Sequence, residues 1–197
     1  MAEAVSVRLN ADSSVAETVA AVAARLGVDL DVSSAESGAV VGDRTLTDDA
    51  SEWQVEAAFL RALAPTHVLF LCVANSARSQ MAEGLARAMA PDGVKISSAG
   101  SEPTQVRPQA IAALGEVGID ISHHESIGID DVERPVDAVI TLCAEEVCPV
   151  WLEQAWRLHW GLPDPAGASE DPDEEMDAFR SVRDELTRRF EVLFGHG

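Results

Sequence analysis

A cysteine and an arginine flank a short run of small residues in the middle of the chain. In "CVANSARS", residues 72–79, Cys72 is followed by five residues, then by Arg78 and Ser79. Successive backbone N–H groups in such a loop can surround an anion, and a following helix adds positive potential. Arg78 can bind two oxygens of that anion at once. The same field favours the thiolate of Cys72, which could then attack the central atom of a tetrahedral oxyanion.

The predicted oxyanion site consists of this loop and the first residue of the helix after it. The hydroxyl of Ser79 is also placed to hydrogen-bond the Cys72 thiolate. The alternative is that Cys72 is a small core hydrophobe at a strand end, but the order strand, loop, Arg-Ser and helix favours the functional interpretation. The residues predicted to contact the anion are Val73, Ala74, Asn75, Ser76, Ala77, Arg78 and Ser79.

The loop needs a strand that ends at Cys72 and a helix that begins near Ser79. Residues 67–72, "HVLFLC", are an apolar run typical of a buried strand, and residues 79–90 have helical periodicity. Further strands are predicted at 94–100, 135–143 and 155–160, and further helices at 107–118 and 173–194. This alternation predicts an α/β fold with a parallel sheet and right-handed crossovers. Such sheets bind ligands at the carboxyl ends of their strands.

Residues 1–64 differ in pattern from the rest of the chain. Helices are predicted at 13–27 and 48–64, separated by a polar stretch with short β-like runs, and Pro65 closes the segment. Nothing in this segment points to chemistry. We therefore predict a small, mainly helical N-terminal appendage over 1–64 and a catalytic domain over 66–197.

The charge and the cysteines of the chain limit its partners and its location. With 34 acidic and 14 basic residues, the net charge is −20, which disfavours binding to nucleic acid or to an anionic membrane. The first residues, "MAEAVSVRLN", show no secretion signal, so we predict a cytoplasmic protein. In a reducing compartment the three cysteines are more typical of catalytic, metal-binding or inert core positions than of a disulfide scaffold.

Several motifs together resemble one known family. "CVANSARS" continues as "QMAEG", and it is followed by "SAG" (98–100), "GIDIS" (118–122), "VITLC" (139–143) and "HWGLPDPAG" (159–167). These motifs are similar to those of the thioredoxin-coupled arsenate reductases, which share their fold and loop with the low-molecular-weight protein tyrosine phosphatases. The resemblance runs from about residue 66 to 194 and implies a four-stranded parallel sheet flanked by helices.

The resemblance implies a relay of three thiols that needs no bound cofactor. Cys72 would attack arsenate held by Arg78 and the loop amides. Asp164 would protonate the departing oxygen, which requires a partly desolvated, protonated carboxyl. Cys143 would then attack the adduct and release arsenite. Cys148 would next form a Cys143–Cys148 disulfide, which thioredoxin reduces.

Other interpretations stay open at this level. A low-molecular-weight phosphatase would release phosphate by hydrolysis, although the second and third cysteines and the absence of tyrosine speak against it. A non-catalytic oxyanion or redox sensor would use the same loop. Cys143 and Cys148 could be structural thiols, and Asp164 could belong to a plain Asp-Pro turn. Turnover separates an enzyme from a sensor.

The spacing of the last two cysteines departs from the family pattern. Four residues separate Cys143 from Cys148, where the family has a longer spacing. If 143–148 were helical, the two Cα atoms would be about 8 Å apart, beyond the roughly 7 Å limit for a disulfide. We therefore expect this segment to unwind during turnover.

No metal site is predicted. Some family members bind potassium near the loop, and Asn75, Glu83 and Ser98 match ligand positions, but Ile127 stands where a further carboxylate is expected. Three histidines could be considered as metal ligands, but they lack cysteine or carboxylate partners at the sequence spacing typical of zinc sites. They are His123, His124 and His159.

Overall fold

The structure, a computed structural model, describes residues 4–144 and 149–195. The chain divides into two compact units, Met1–Pro65 with Glu191–Gly197, and Thr66–Phe190. The first division falls at Pro65, where the sequence pattern also changes. The grouping of the last residues with the first unit has no counterpart in the sequence pattern.

The first unit combines two helices with a sheet. Its elements in chain order are β1 (Ala4–Leu9), α1 (Val15–Leu26), β2 (Asp29–Ser34), β3 (Ala39–Val41), β4 (Arg44–Leu46) and α2 (Glu52–Leu63). The sheet order is β2-β1-β3-β4, with β1 and β2 parallel and the other pairs antiparallel. The two predicted helices are present.

The description of this segment as mainly helical needs correction, because it omits a four-stranded sheet. Two of the strands, β3 and β4, have three residues each, too few for a period-two pattern to stand out. Strand β2 is polar and almost wholly exposed, so it has no apolar face to reveal it.

The second unit is built on four parallel strands. Its elements are β5 (His67–Cys72), α3 (Arg78–Met89), β6 (Lys95–Gly100), α4 (Pro108–Gly115), β7 (Ala138–Cys143), β8 (Trp156–Leu162) and α5 (Pro172–Leu193). The strand order is β6-β5-β7-β8, and all neighbouring pairs are parallel. The predicted four-stranded parallel sheet flanked by helices is confirmed.

Both faces of this sheet are covered by apolar side chains. On one face Phe70 packs edge-on against Phe190 of α5, with ring centroids 5.3 Å apart. The other face carries an apolar cluster consisting of Leu69, Leu71, Ala99, Val132, Val136, Val139 and Trp151. Each large side chain buried in this way contributes about 1.5–3 kcal/mol. This packing sets the strand register, so that the carboxyl ends of β5 and β7 lie side by side.

Among the described residues no helix is both long and apolar enough to cross a membrane.

Candidate active site

The loop between β5 and α3 is held from its outer side. The carbonyl groups of Val73, Ala74 and Ser76 accept hydrogen bonds of 2.9, 3.0 and 2.9 Å from backbone N–H groups within 102–107. In a trans peptide the C=O group and the next N–H group point to opposite sides. The N–H groups that follow these carbonyls therefore point to the inside of the loop, where they can surround an anion.

A cavity of about 340 Å³ opens on this inner side. It unites three of the predicted catalytic residues with four further residues of the loop. Asn75 and Ser79, both predicted to contact the anion, have fully buried side chains, and the Asn75 amide donates a hydrogen bond to Ser79 Oγ. The cavity is lined by Cys72, Val73, Ala74, Ser76, Ala77, Arg78 and Asp164.

Arg78 lies in the cavity wall and contacts Leu162 and Asp164. Its Nη1 donates to the carbonyl oxygen of Leu162, the last residue of β8, at 3.1 Å. Its Nη2 lies 3.2 Å from Oδ2 of Asp164. The Arg78 side chain is 4% exposed and the Asp164 side chain 41% exposed. Asp164 thus reaches the site, but as an exposed, ion-paired carboxylate rather than in the desolvated setting that the sequence analysis required.

Asn75 organises the inner framework of the loop. It has the left-handed φ of 46°, a conformation that asparagine adopts more readily than most residues with a Cβ. The backbone N–H of Ile127 donates to Asn75 Oδ1 at 2.8 Å, which fixes the orientation of the side-chain amide. Asn75 Nδ2 accordingly donates to Ser79 Oγ at 2.9 Å and to Ser98 Oγ at 2.8 Å.

These hydrogen bonds affect the contact between Ser79 and Cys72. Because Ser79 Oγ accepts from Asn75, its own proton is available for Cys72 Sγ, 2.9 Å away. A hydroxyl that donates to sulfur stabilises the thiolate over the thiol. Ser79 is thus placed so that its hydroxyl can donate a hydrogen bond to Cys72.

Cys143 lies at the end of the strand beside Cys72. It ends β7, is 1% exposed, and lies two residues after Thr141, which pairs with Leu71 of β5. A register shift between Thr141 and Cys143 interrupts the regular alternation of side chains there. Cys148 lies outside the described residues, and so does the expected unwinding of 143–148.

Comparison with known proteins shows the family of this chain. A family model described as low molecular weight phosphotyrosine protein phosphatase matches residues 67–196. The chain belongs to this family. The match leaves the N-terminal residues up to 66 outside it.

Several relatives of this chain are named arsenate reductase. An arsenate reductase of Halalkalibacterium halodurans is 43% identical over 129 residues, which are 64% of this chain and 93% of the relative. One of Bacillus subtilis is 45% identical over 62% of this chain and 90% of the relative. The crystal structure of an arsenate reductase from Archaeoglobus fulgidus has a TM-score of 0.57 at 33% identity, covering 66% of this chain and 99% of that one. A structure of an arsenate reductase in the oxidized state has a TM-score of 0.56 at 38% identity, covering 66% and 96%.

The potassium ligands of some family members do not form a cation site in this chain. Both hydrogens of the Asn75 amide point to serine oxygens, and Ser98 Oγ donates to Glu83 Oε2 at 2.6 Å. Burial raises the pKa of Glu83, and Arg87 forms an ion pair with its carboxylate. These side chains are thus hydrogen-bonded to one another or ion-paired with a guanidinium, and they do not fit a bound potassium ion.

The three histidines do not converge. The rings of His123 and His124 are in contact, with centroids 5.0 Å apart, whereas His159 lies on β8, where its Nδ1 is 2.8 Å from Thr141 Oγ1. Within 4–144 and 149–195 no group of three or more His, Cys, Asp or Glu side chains could hold a metal ion.

Sequence analysis missed three groups that shape this phosphatase-family loop. They are the carbonyl of Leu162, the hydroxyl of Ser126, which donates to the Asn75 carbonyl at 2.6 Å, and the amide of Gln80. Only Gln80 gave a signal, as a polar residue directly after the Arg-Ser pair.

Gly100 allows β6 to approach the loop. A Cβ at this position would lie 2.4 Å from the Val73 carbonyl oxygen and 2.8 Å from the Asn75 nitrogen, both backbone atoms. We expect Gly100→Ala to shift the loop and to weaken phosphate binding at least about tenfold, since backbone overlap is not relieved by a side-chain rotation. Titration calorimetry measures the change. The matched control is Gly115→Ala, where a Cβ meets nothing within 4 Å. Equal phosphate affinity in both variants would show that the contact is unimportant.

Proposed function

We propose that this protein reduces arsenate to arsenite by a relay of Cys72, Cys143 and Cys148, and that thioredoxin restores the three thiols. The observation that carries the proposal is the placement of two buried cysteines at the ends of adjacent strands, one of them in an oxyanion cavity with Arg78. Relatives named arsenate reductase, 43% and 45% identical to this chain, support it.

In the first step the Cys72 thiolate attacks arsenic. Arg78 and the loop N–H groups hold the anion and stabilise the charge that develops on its oxygens. An arsenate oxygen on Arg78 takes the place of the Asp164 carboxylate, so that the Asp164 carboxyl stands beside the anion. Asp164 gives its proton to the departing oxygen, which leaves as water.

In the second step arsenic is reduced. The Cys143 thiolate attacks the sulfur of Cys72, the sulfur–arsenic bond breaks, and its electron pair stays on arsenic. Arsenic(V) becomes arsenite, and the two thiols become a Cys72–Cys143 disulfide. Cys72 and Cys143 follow the paired residues Leu71 and Thr141 by one and two positions, at the ends of neighbouring strands about 4.8 Å apart. Strict alternation along β7 would direct Cys143 away from the face of Cys72, so the register shift before Cys143 matters to this step.

In the third step Cys148 attacks the sulfur of Cys143 and releases the Cys72 thiolate. The resulting Cys143–Cys148 disulfide is reduced by the two thiols of thioredoxin, which supplies the two electrons that arsenic received.

Asp164→Asn is expected to slow formation of the Cys72 adduct by roughly 10²- to 10⁴-fold, the usual contribution of a positioned proton donor. Phosphate binding is expected to be kept or strengthened, because the variant removes a carboxylate from Arg78. Rapid-mixing kinetics and calorimetry measure the two effects. Asp92→Asn, at an exposed aspartate away from the cavity, is the matched control. An unchanged adduct rate would return Asp164 to a turn-forming role.

A phosphatase activity is the second candidate, favoured by the family model and by the presence of Cys72, Arg78 and Asp164 around one cavity. The same first step on a phosphate ester would give a phosphocysteine that water hydrolyses. This route makes no use of Cys143.

One experiment separates the two reactions. The purified protein is assayed for arsenite production with thioredoxin, thioredoxin reductase and NADPH, and in parallel for hydrolysis of an aryl phosphate. We expect arsenite formation that depends on thioredoxin. Efficient hydrolysis of the ester without arsenite formation would instead identify a phosphatase.

A further inference from the structure

Gln80 is a fully buried amide that the mechanism above does not use. Its Nε2 lies near three oxygens, 3.2 Å from the Asn75 carbonyl, 3.0 Å from Asn75 Oδ1 and 3.0 Å from the Glu125 carbonyl. The carbonyls can only accept hydrogen bonds, and Asn75 Oδ1 is already fixed as an acceptor by Ile127. The NH2 end of the Gln80 amide must therefore face Asn75, and its oxygen must face the other way.

His124 determines that orientation from the other end. Its Nδ1 lies 2.9 Å from Gln80 Oε1, which can only accept, so Nδ1 carries a proton. Its Nε2 lies 3.4 Å from Nη1 of Arg87, which can only donate. The ring is therefore neutral with its lone pair towards Arg87. Burial, with the nearby charges of Arg87 and His123, lowers the pKa of His124 to about 4, in agreement with this state.

We propose that Gln80 and His124 are positioning residues that hold the oxyanion loop in its anion-binding shape. The hydrogen bonds run in one direction, from Arg87 to His124, from His124 to Gln80 and from Gln80 to Asn75. A reversed Gln80 amide would place its oxygen against three other oxygens, and the proton on His124 Nδ1 opposes that reversal.

The effect reaches the anion and the nucleophile through Asn75. Gln80 and Ser126 both draw the Asn75 carbonyl outward, so the next N–H group, that of Ser76, is directed to the inside of the loop. Gln80 also holds Asn75 Oδ1, so the Asn75 NH2 group stays on Ser79, whose proton goes to Cys72. Losing the His124 donor should therefore weaken anion binding and destabilise the Cys72 thiolate together.

This proposal rests on the proposed function only for its expected effect on arsenate reduction. Phosphate affinity and the ultraviolet absorbance of the Cys72 thiolate test it without arsenate. If the wild type releases no arsenite, the proposed function fails, and these two measurements still decide the roles of Gln80 and His124.

The test compares two substitutions of the same half-buried histidine in the full-length protein. His124→Leu removes the donor, whereas His124→Asn keeps an amide N–H near the position of Nδ1. His123→Leu, at the exposed neighbouring histidine, is the matched control. We expect His124→Leu to weaken phosphate binding about tenfold, the effect of one buried group losing its partner, and to reduce the thiolate absorbance. His124→Asn and His123→Leu should stay within about twofold of the wild type.

A purely structural role of His124 predicts different results. It would lower the unfolding temperature of His124→Leu and leave phosphate affinity and thiolate absorbance of the folded protein unchanged, which would overturn the proposal. Equal losses in His124→Leu and His124→Asn would also overturn it. Gln80→Met, which fills the space but donates nothing, provides the second variant and should weaken phosphate binding at least as much as His124→Leu.

Discussion

Cys72→Ser is expected to lower arsenite release at least about 10⁴-fold, the scale on which removal of a nucleophile acts. A serine hydroxyl in this cavity stays protonated and attacks arsenic poorly. Phosphate is still expected to bind, because Arg78 and the loop N–H groups are unchanged. Arsenite is measured with excess thioredoxin system, and phosphate binding by calorimetry.

The phosphate measurement serves as the control for folding of this variant. Retained affinity without turnover would locate the loss in the chemical step. Arsenite release by the purified variant at more than a trace rate would remove Cys72 from the mechanism.

Cys143→Ser and Cys148→Ser are expected to stop the cycle at different points. Without Cys143 the Cys72 adduct forms but arsenic is not reduced, so no arsenite should appear. Without Cys148 the protein should release one equivalent of arsenite per enzyme and then stop as a Cys72–Cys143 disulfide. Thioredoxin should reduce that disulfide slowly, because Cys72 is 2% exposed and access limits exchange.

The two variants serve as controls for each other, since each replaces one thiol of the relay. Single-turnover arsenite yield and mass mapping of the disulfide are the measurements. Repeated turnover of Cys148→Ser at nearly the wild-type rate would contradict a three-cysteine relay. Unchanged main activity in both variants is what a phosphatase would show.

The second unit follows its sequence pattern closely. Strand β5 was predicted at 67–72 and occupies those residues, because a central parallel strand is buried on both faces and is therefore a continuous apolar run. Helix α4 begins at Pro108, as the position of that proline indicates. The sheet of the first unit could not be predicted in the same way, since β2 is exposed and β3 and β4 are short.

In the candidate site too, some features follow from local sequence and others do not. The order of Cys72, loop, Arg78 and helix is local, because backbone N–H groups and a helix N-terminus arise from consecutive residues. The sequence could therefore specify the nucleophile and the anion-binding loop. The resemblance supplied Asp164 and Cys143, whose roles no local pattern reveals.

Only the tertiary structure decided the contacts between residues far apart in the chain. Arg78 meets the carbonyl of Leu162 at a separation of 84 residues, and His124 meets Gln80 at a separation of 44. Such contacts depend on which strands are neighbours and on their register, which result from packing both faces of the sheet at once. By itself, the sequence predicted an oxyanion-binding loop with Cys72 as the candidate nucleophile. The folded chain determined which carboxylate, which second thiol and which buried amide stand next to it, because side-chain proximity across strands is a property of packing and is not encoded by any short stretch of residues.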